Sequence, residues 1–267
     1  MIRIRFGACS ETGARRHNED QIRHGSARAG HYAIVADGAG GHSRGAEAAL
    51  RAVDCIERLL LDDAMAYSPA NLGQAVRLAH SELVHHQDSE RLEARMHSTI
   101  VVLWIDAAAE HAIWAHVGDS RLYRVRQGRT DIVTVDDSVV QQLVQSGVIS
   151  AAQSRAHPQK NQLLAALGMS GEVDPHVVAR PVALLEGDAF LLCSDGWWDG
   201  FEPAALARTL EQALTPQDWI DAMREQVVAR GAPRQDNYSA VALWAGDPGE
   251  VTQPGADDTR PNAALGL

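Results

Sequence analysis

Cysteine is scarce in this sequence of 267 residues: Cys9, Cys55 and Cys193 are widely separated, and no two form a Cys-x-x-Cys pair. An odd, scattered set excludes a disulfide framework and a zinc finger, and predicts buried, reduced thiols. Basic charge is also short, with 24 Lys and Arg against 35 Asp and Glu and a net charge of −11. That balance argues against an electrostatic grip on nucleic acid or on an anionic membrane. Long apolar runs are missing too. Ile100 to Ile105 is far too short to span a bilayer, and the charged start MIRIRFGACS does not read as a signal peptide. The expectation is a soluble, cytoplasmic protein.

Several common catalytic patterns are absent as well. GAGGHSRG, at 38–45, is not G-x-G-x-x-G, and no Lys-Ser or Lys-Thr follows it as a phosphate loop requires. The 12 histidines form no H-E-x-x-H, and no serine sits in a G-x-S-x-G elbow. His111 and His116 fall on opposite faces of a strand, and His85 and His86 read as a solvated helix face.

What is present is a hydrophobic fraction of 45%, enough for a core. Residues 2–9 and 31–36 read as strands. Helical spacing follows at 44–61, with Ala46, Ala49, Leu50, Val53, Ile56 and Leu60 inward, and at about 70–88, with Leu72, Ala75, Val76, Ala79 and Leu83 inward. From 99 to 135 the pattern is strands, with hairpin turns expected at 107–110, 118–120 and 127–129. Short helices are expected at VVQQLVQSGVI and NQLLAALG, strands at 176–182, 188–193 and 238–244, and helices at 203–213 and 216–229. Thr215 is placed to cap the last of these, with Pro216 behind it. After Gly246 the chain turns rich in Pro, Gly and Asp without periodicity, which predicts a folded unit over 1–245 and a disordered tail over 246–267. Runs of adjacent strands between helix pairs favour an α+β layered sandwich.

Carboxylates recur at the strand ends. HYAIVADG delivers Asp37 and Gly38 to the tip of an apolar strand, and DAFLLCSDGWWDG does the same with Asp195. Asp119 sits between two strands, Asp236 just before the last strand, and Glu19 and Asp20 after the first. A lone Asp-Gly is most simply a turn, and turn chemistry accounts for Asp119 and passably for Asp236. It accounts poorly for Asp195, because Trp197 and Trp198 do not suit an exposed tip. Strands sharing a sheet bring their ends to one edge, and carboxylates gathered there repel unless a cation neutralises them. Hard divalent ions such as Mg²⁺ or Mn²⁺ take such oxygen ligands, and Gly38 leaves its own carbonyl free to join them.

The ordered series RRHNED, DGAGGH, HST, GDSR, SDGWWD and QDN resembles the metal-dependent type-2C protein serine/threonine phosphatases in their bacterial form, over residues 5 to 244. The resemblance implies a four-layer α-β-β-α sandwich, with two central antiparallel sheets flanked by helix pairs and a two-metal centre at one edge. It implies that Asp37 bridges two Mn²⁺ or Mg²⁺ ions, that Asp195 and Asp236 complete one, and that Glu19 and the Gly38 carbonyl hold the other. Asp119 matches a ligand of a third ion, and Arg15 matches the arginine that grips the substrate phosphate, with its neighbour Arg16 as the alternative.

The implied function is removal of phosphate from phosphoserine and phosphothreonine, with a bacterial Ser/Thr kinase and its substrates as partners. A non-catalytic phospho-sensing module on the same fold and a phosphatase for small phosphoesters are the rival readings. The sequence departs from the family pattern at Ala39, where animal relatives have histidine, at His97 before the Ser-Thr pair, and at Asp137, where many bacterial relatives have histidine. His42 stands three positions after Ala39, and VDDSVVQQLVQSGVIS at 135–150, with HPQKNQLLAALG at 157–168, resembles the family's flap near the active site.

Overall fold

Strands that are apolar on both sides need cover on both faces, and the runs at 32–36, 188–193 and 238–245 are buried throughout. The computed structural model describes residues 2–39, 44–87, 95–231 and 235–249. Its elements are β1 (Ile4–Glu11), β2 (Asp20–Ala27), β3 (Gly30–Ala39), α1 (Arg44–Leu60), α2 (Pro69–His86), β4 (His97–Ser98), β5 (Ile100–Asp106), β6 (His111–Val117), β7 (Arg121–Arg126) and β8 (Arg129–Ile132). There follow α3 (Val139–Gln145), α4 (Ala151–Ser154), β9 (His176–Val177), β10 (Val182–Ala183), β11 (Asp188–Cys193), α5 (Asp195–Trp198), α6 (Pro203–Gln212), α7 (Pro216–Ala229) and β12 (Tyr238–Ala245).

These strands form two antiparallel sheets. One has the order β1-β12-β11-β7-β8 and the other β10-β6-β5-β3-β2, with β4 beside β3 and β9 beside β6. Val35, Val101, Leu103, Leu192, Val241 and Leu243 fill the space between the sheets. Helices α1 and α2 cover the outer face of the second sheet, against Ile34, Val102 and Trp104. Helices α6 and α7 cover the first, with Trp197, Trp219 and Trp244 between. The layer order is therefore α-β-β-α, as expected. The Ser68 hydroxyl accepts from Asn71 N at 3.2 Å to start α2, and Thr215 accepts from Asp218 N at 3.1 Å to start α7.

Some local expectations fail. Leu50 is 39% exposed, because the buried face of α1 runs through Ala49, Ala52, Val53, Ile56 and Leu60 and leaves Leu50 to one side. Residues 118–120 are not a hairpin: β6 and β7 belong to different sheets, and Gly118, at φ +96°, carries the chain from one sheet to the other. NQLLAALG is not helical; Leu163 and Leu167 instead make isolated bridges to Ser138 and Ser98. The strand expected over 176–182 is two short pieces, β9 and β10, both laid along β6. Cys55 and Cys193 are buried, but Cys9 is only half-buried. His42 and residues 250–267 of the expected tail lie outside the described residues.

Candidate active site

The sheet ends meet at one edge. Asp37 near the end of β3 stands directly across from Asp20 at the start of β2. Its N–H donates to Thr99 Oγ1 at 3.0 Å, and its carbonyl accepts from Thr99 N at 2.8 Å. Thr99 Oγ1 also lies 2.7 Å from Ser120 Oγ, so HST is the joint between the Asp37 strand and the turn that carries Asp119.

The RRHNED loop is fixed from the other sheet. Asn237 Oδ1 accepts from Glu19 N at 2.9 Å, while its side-chain amide donates to the carbonyls of Thr12 and His17 at 2.8 and 2.9 Å. Asp195 opens the short turn α5 directly after β11. Trp197 is buried in the core, and Trp198 Nε1 donates to the Asp119 carbonyl at 2.9 Å. That is why two tryptophans follow a carboxylate at a strand tip.

The carboxylates feel one another. Asp37 titrates well above the ordinary carboxylate range, first through burial and then through Asp20, Asp195, Asp119 and Asp236. Asp119 is also raised, by burial and then by Asp195 and Asp136. Burial and the charge of Asp236 push Asp195 up to about 6. Burial pushes Asp20 up to about 7, although Ser239 and Ser194 hydroxyls oppose the rise. Glu19 is raised by burial against the pull of Arg15. Asp20 was visible in RRHNED, but nothing in the sequence showed that it faces Asp37.

Arg15 is exposed, and its guanidinium donates to Asp236 Oδ2 at 2.5 Å. Arg16 is exposed. A cavity of about 340 Å³ opens here, lined by Arg15, Asp195 and Asp236 together with Lys160, Asp199 and Arg230. Asp137 adjoins the turn that carries Asp119, its own N–H donating to the Gly118 carbonyl at 2.9 Å. It accepts from Gly118 N at 2.9 Å and lies 2.8 Å from His176 Nε2.

Two observations bear on a divalent ion. The Gly38 carbonyl and Glu19 Oε2 lie 2.6 and 2.8 Å from the point that a Cβ on Gly45 would occupy, so two oxygens converge on a space kept free by a glycine. Buried oxygens of Asp20 and Asp195 have no hydrogen-bond partner. Among the described residues, no three His, Cys, Asp or Glu side chains stand in metal-holding geometry, and the Asp236 carboxylate is engaged by Arg15 instead. The donor set is nonetheless all oxygen and short of neutralising charge. That suits a hard ion, which uses one or two carboxylates and completes its shell with water.

Comparison with known proteins follows the same outline. The protein phosphatase 2C family profile matches residues 10–229. The serine/threonine protein phosphatase PstP of Mycobacterium tuberculosis is 30% identical over 255 residues, covering 95% of this chain but 45% of the relative, so the chain spans less than half of that protein. The serine/threonine phosphatase stp of Listeria monocytogenes is 30% identical over 233 residues, covering 84% of this chain and 86% of the relative. The solved catalytic domain of PstP in complex with two manganese ions superposes with a TM-score of 0.79 at 28% identity, covering 92% of this chain and 100% of that one.

Proposed function

The chain belongs to the protein phosphatase 2C family, and from that premise we propose that it is a metal-dependent phosphatase acting on phosphoserine and phosphothreonine in proteins. One observation carries the reading: Asp20 and Asp37 stand opposite each other on β2 and β3, Trp198 ties the Asp119 turn to the turn that begins at Asp195, and Asp195, Asp236 and Arg15 line one cavity. We assign Mn²⁺ or Mg²⁺ to this cluster, the manganese-bound mycobacterial relative lending support. Asp37, Asp195 and Asp236 would hold one ion, Asp37, Glu19 and the Gly38 carbonyl a second, and Asp119 a third. Bound there, such ions supply a water acidic enough to attack at neutral pH and positive charge for the phosphoryl oxygens.

The remaining work falls to the chain's own groups. Arg15 carries a fork of donors that fits two phosphate oxygens, once it exchanges Asp236 for the substrate. Thr99 and Asn237 fix Asp37 and Glu19 through the backbone, so the carboxylates do not have to reorganise. No cysteine is poised as a nucleophile: burial pushes the Cys9 and Cys55 thiols up to about 11 and raises that of Cys193 as well.

We take residues 1–245 as the catalytic domain, the cytoplasm as its setting, and a bacterial Ser/Thr kinase with that kinase's substrates as its partners. The test compares phosphoserine and phosphothreonine peptides with free phosphorylated metabolites, in Mn²⁺ and in chelator. Metal-dependent turnover of the peptides supports the reading. Turnover confined to metabolites refutes the protein-substrate part, and turnover unaffected by chelator refutes the metal assignment.

A further inference from the structure

Beside the catalytic cavity lies a second, larger one of about 670 Å³, walled by Ile132 of β8, Val140 and Val144 of α3, Ala151 and Ala152 of α4, and Pro203 of α6. Lys160, Trp198 and Asp199 line both cavities, so the two share a wall. That wall is firmly built. Trp198 lies over the Arg121 guanidinium, whose Cζ is 3.6 Å from the ring centroid, and Arg121 is held by Asp136 at 2.7 Å. Lys160, the only lysine in the sequence, pairs with Asp199 at 2.7 Å, and Arg155 pairs with Glu202, joining the segment around α4 to the start of α6. The apolar walls stay partly open to water: Ile132 is 46% exposed.

We infer that this trench receives an apolar side chain of a phosphopeptide substrate, near the phosphorylated residue in sequence. The inference rests on the phosphatase reading and gives it a substrate class. Its first support is continuity. A phosphoresidue seated against Arg15, Asp195 and Asp236 has its chain neighbours beside the shared wall. At about 3.3–3.6 Å per extended residue, positions close to the phosphoresidue in sequence are the ones that meet the shared wall. The second is chemistry: one part of the lining is aliphatic, Gln141 and Ser154 add neutral polar groups, and the charged side chains are already paired with one another. An acidic or basic flanking residue finds little free charge there, whereas a Leu or Val side chain gains by leaving water. A small phosphoester fills the catalytic cavity and leaves the trench unused.

The experiment uses phosphothreonine peptides carrying Leu or Ser at each of the three positions before and after the phosphoresidue, with p-nitrophenyl phosphate as a probe too small for the trench. The full chain should favour Leu over Ser at one or two positions, by roughly tenfold in kcat/KM. Ile132→Asp and Val144→Asp, one on β8 and one on α3, should each erase that preference and leave p-nitrophenyl phosphate turnover within about twofold. Leu214→Asp, at a residue 81% exposed and outside the trench lining, should change neither. Turnover of p-nitrophenyl phosphate without any flanking preference overturns the trench and leaves the phosphatase reading standing. A preference that survives both wall variants overturns it too. Failure to turn over any phosphoester overturns the phosphatase reading and the trench with it.

Discussion

Arg15 and Asp236 hold one another at 2.5 Å, and each is assigned a different partner in the working enzyme. The hydrogen bond to Asp236 and its charge raise the Arg15 pKa, so the guanidinium is charged wherever the protein is folded. Losing a charge-assisted contact to phosphate costs about 1.5–3 kcal/mol. Arg15→Ala should therefore lower kcat/KM on a phosphopeptide by roughly ten- to a hundredfold. Arg15→Lys should recover little of it, since an ammonium cannot reproduce the fork. Arg16→Ala should stay within a few-fold, and the opposite pattern would move the phosphate site by one residue. Asp37→Asn should abolish phosphatase activity in saturating Mn²⁺ while keeping the fold. It should raise the melting temperature of the metal-free protein, because Asp37 is crowded by Asp20, Asp195 and Asp119. Near-normal turnover by that variant would sink the two-ion assignment. Asp37 and Asp195 were legible because each ends an apolar strand with Asp-Gly. Asp20 is legible as a strand-end carboxylate and Asn237 as part of QDN, but their roles are not, since those rest on a cross-strand neighbour and on three hydrogen bonds to distant backbone.

Elements place these residues, and the misread elements are those held by backbone rather than by apolar pattern. Strand β2, DQIRHGSA, carries only Ile22 and Ala27 as apolar side chains outside its glycine, so no periodicity announces it. Its ladder with β3 runs from Asp20↔Asp37 to Ala27↔Gly30, and it is this ladder that sets the two carboxylates face to face. The 118–120 link has the composition of a hairpin tip, yet both its flanking strands are largely buried, so each pairs within its own sheet. The long helices were legible because their buried faces recur at helical spacing. Helix α1 also reaches the site: a Cβ on Gly45 would lie 2.6 Å from the Gly38 carbonyl and 2.8 Å from Glu19 Oε2. Gly45→Ala should push those oxygens apart at a cost of about 1–3 kcal/mol. That is a fall in Tm of roughly 2–12 °C for a domain of this size. It should also weaken Mn²⁺ binding in a calorimetric titration. Unchanged manganese affinity would reduce Gly45 to a packing contact between α1 and β3.

At the scale of the whole molecule, two packed sheets drive like charges together at one edge, and the cost of doing so depends on pH. Asp195 is pushed up to about 6 and Asp20 up to about 7, against about 3.9 in an unfolded chain. With folded values above unfolded ones, the native state binds more protons than the unfolded state between roughly pH 4 and 7. The stability these groups contribute is present at acid pH and is lost as pH rises through that window. His24, His31, His97 and His116, whose pKa values burial lowers, act oppositely and favour the native state as pH rises toward 6.5. A melting curve of the chelated protein alone therefore mixes two trends. The difference between Mn²⁺-loaded and chelated protein separates them. An ion held by ionised carboxylates competes with their protons and stabilises only the native state. The histidines contribute to both forms alike and cancel. The gain in Tm on adding Mn²⁺ should be small near pH 5 and grow steadily toward pH 8. Asp37→Asn should flatten that growth, by removing the carboxylate assigned to both ions. A gain that is constant across this range, or that survives unchanged in Asp37→Asn, would mean that manganese stabilises the protein elsewhere than at the Asp37 cluster.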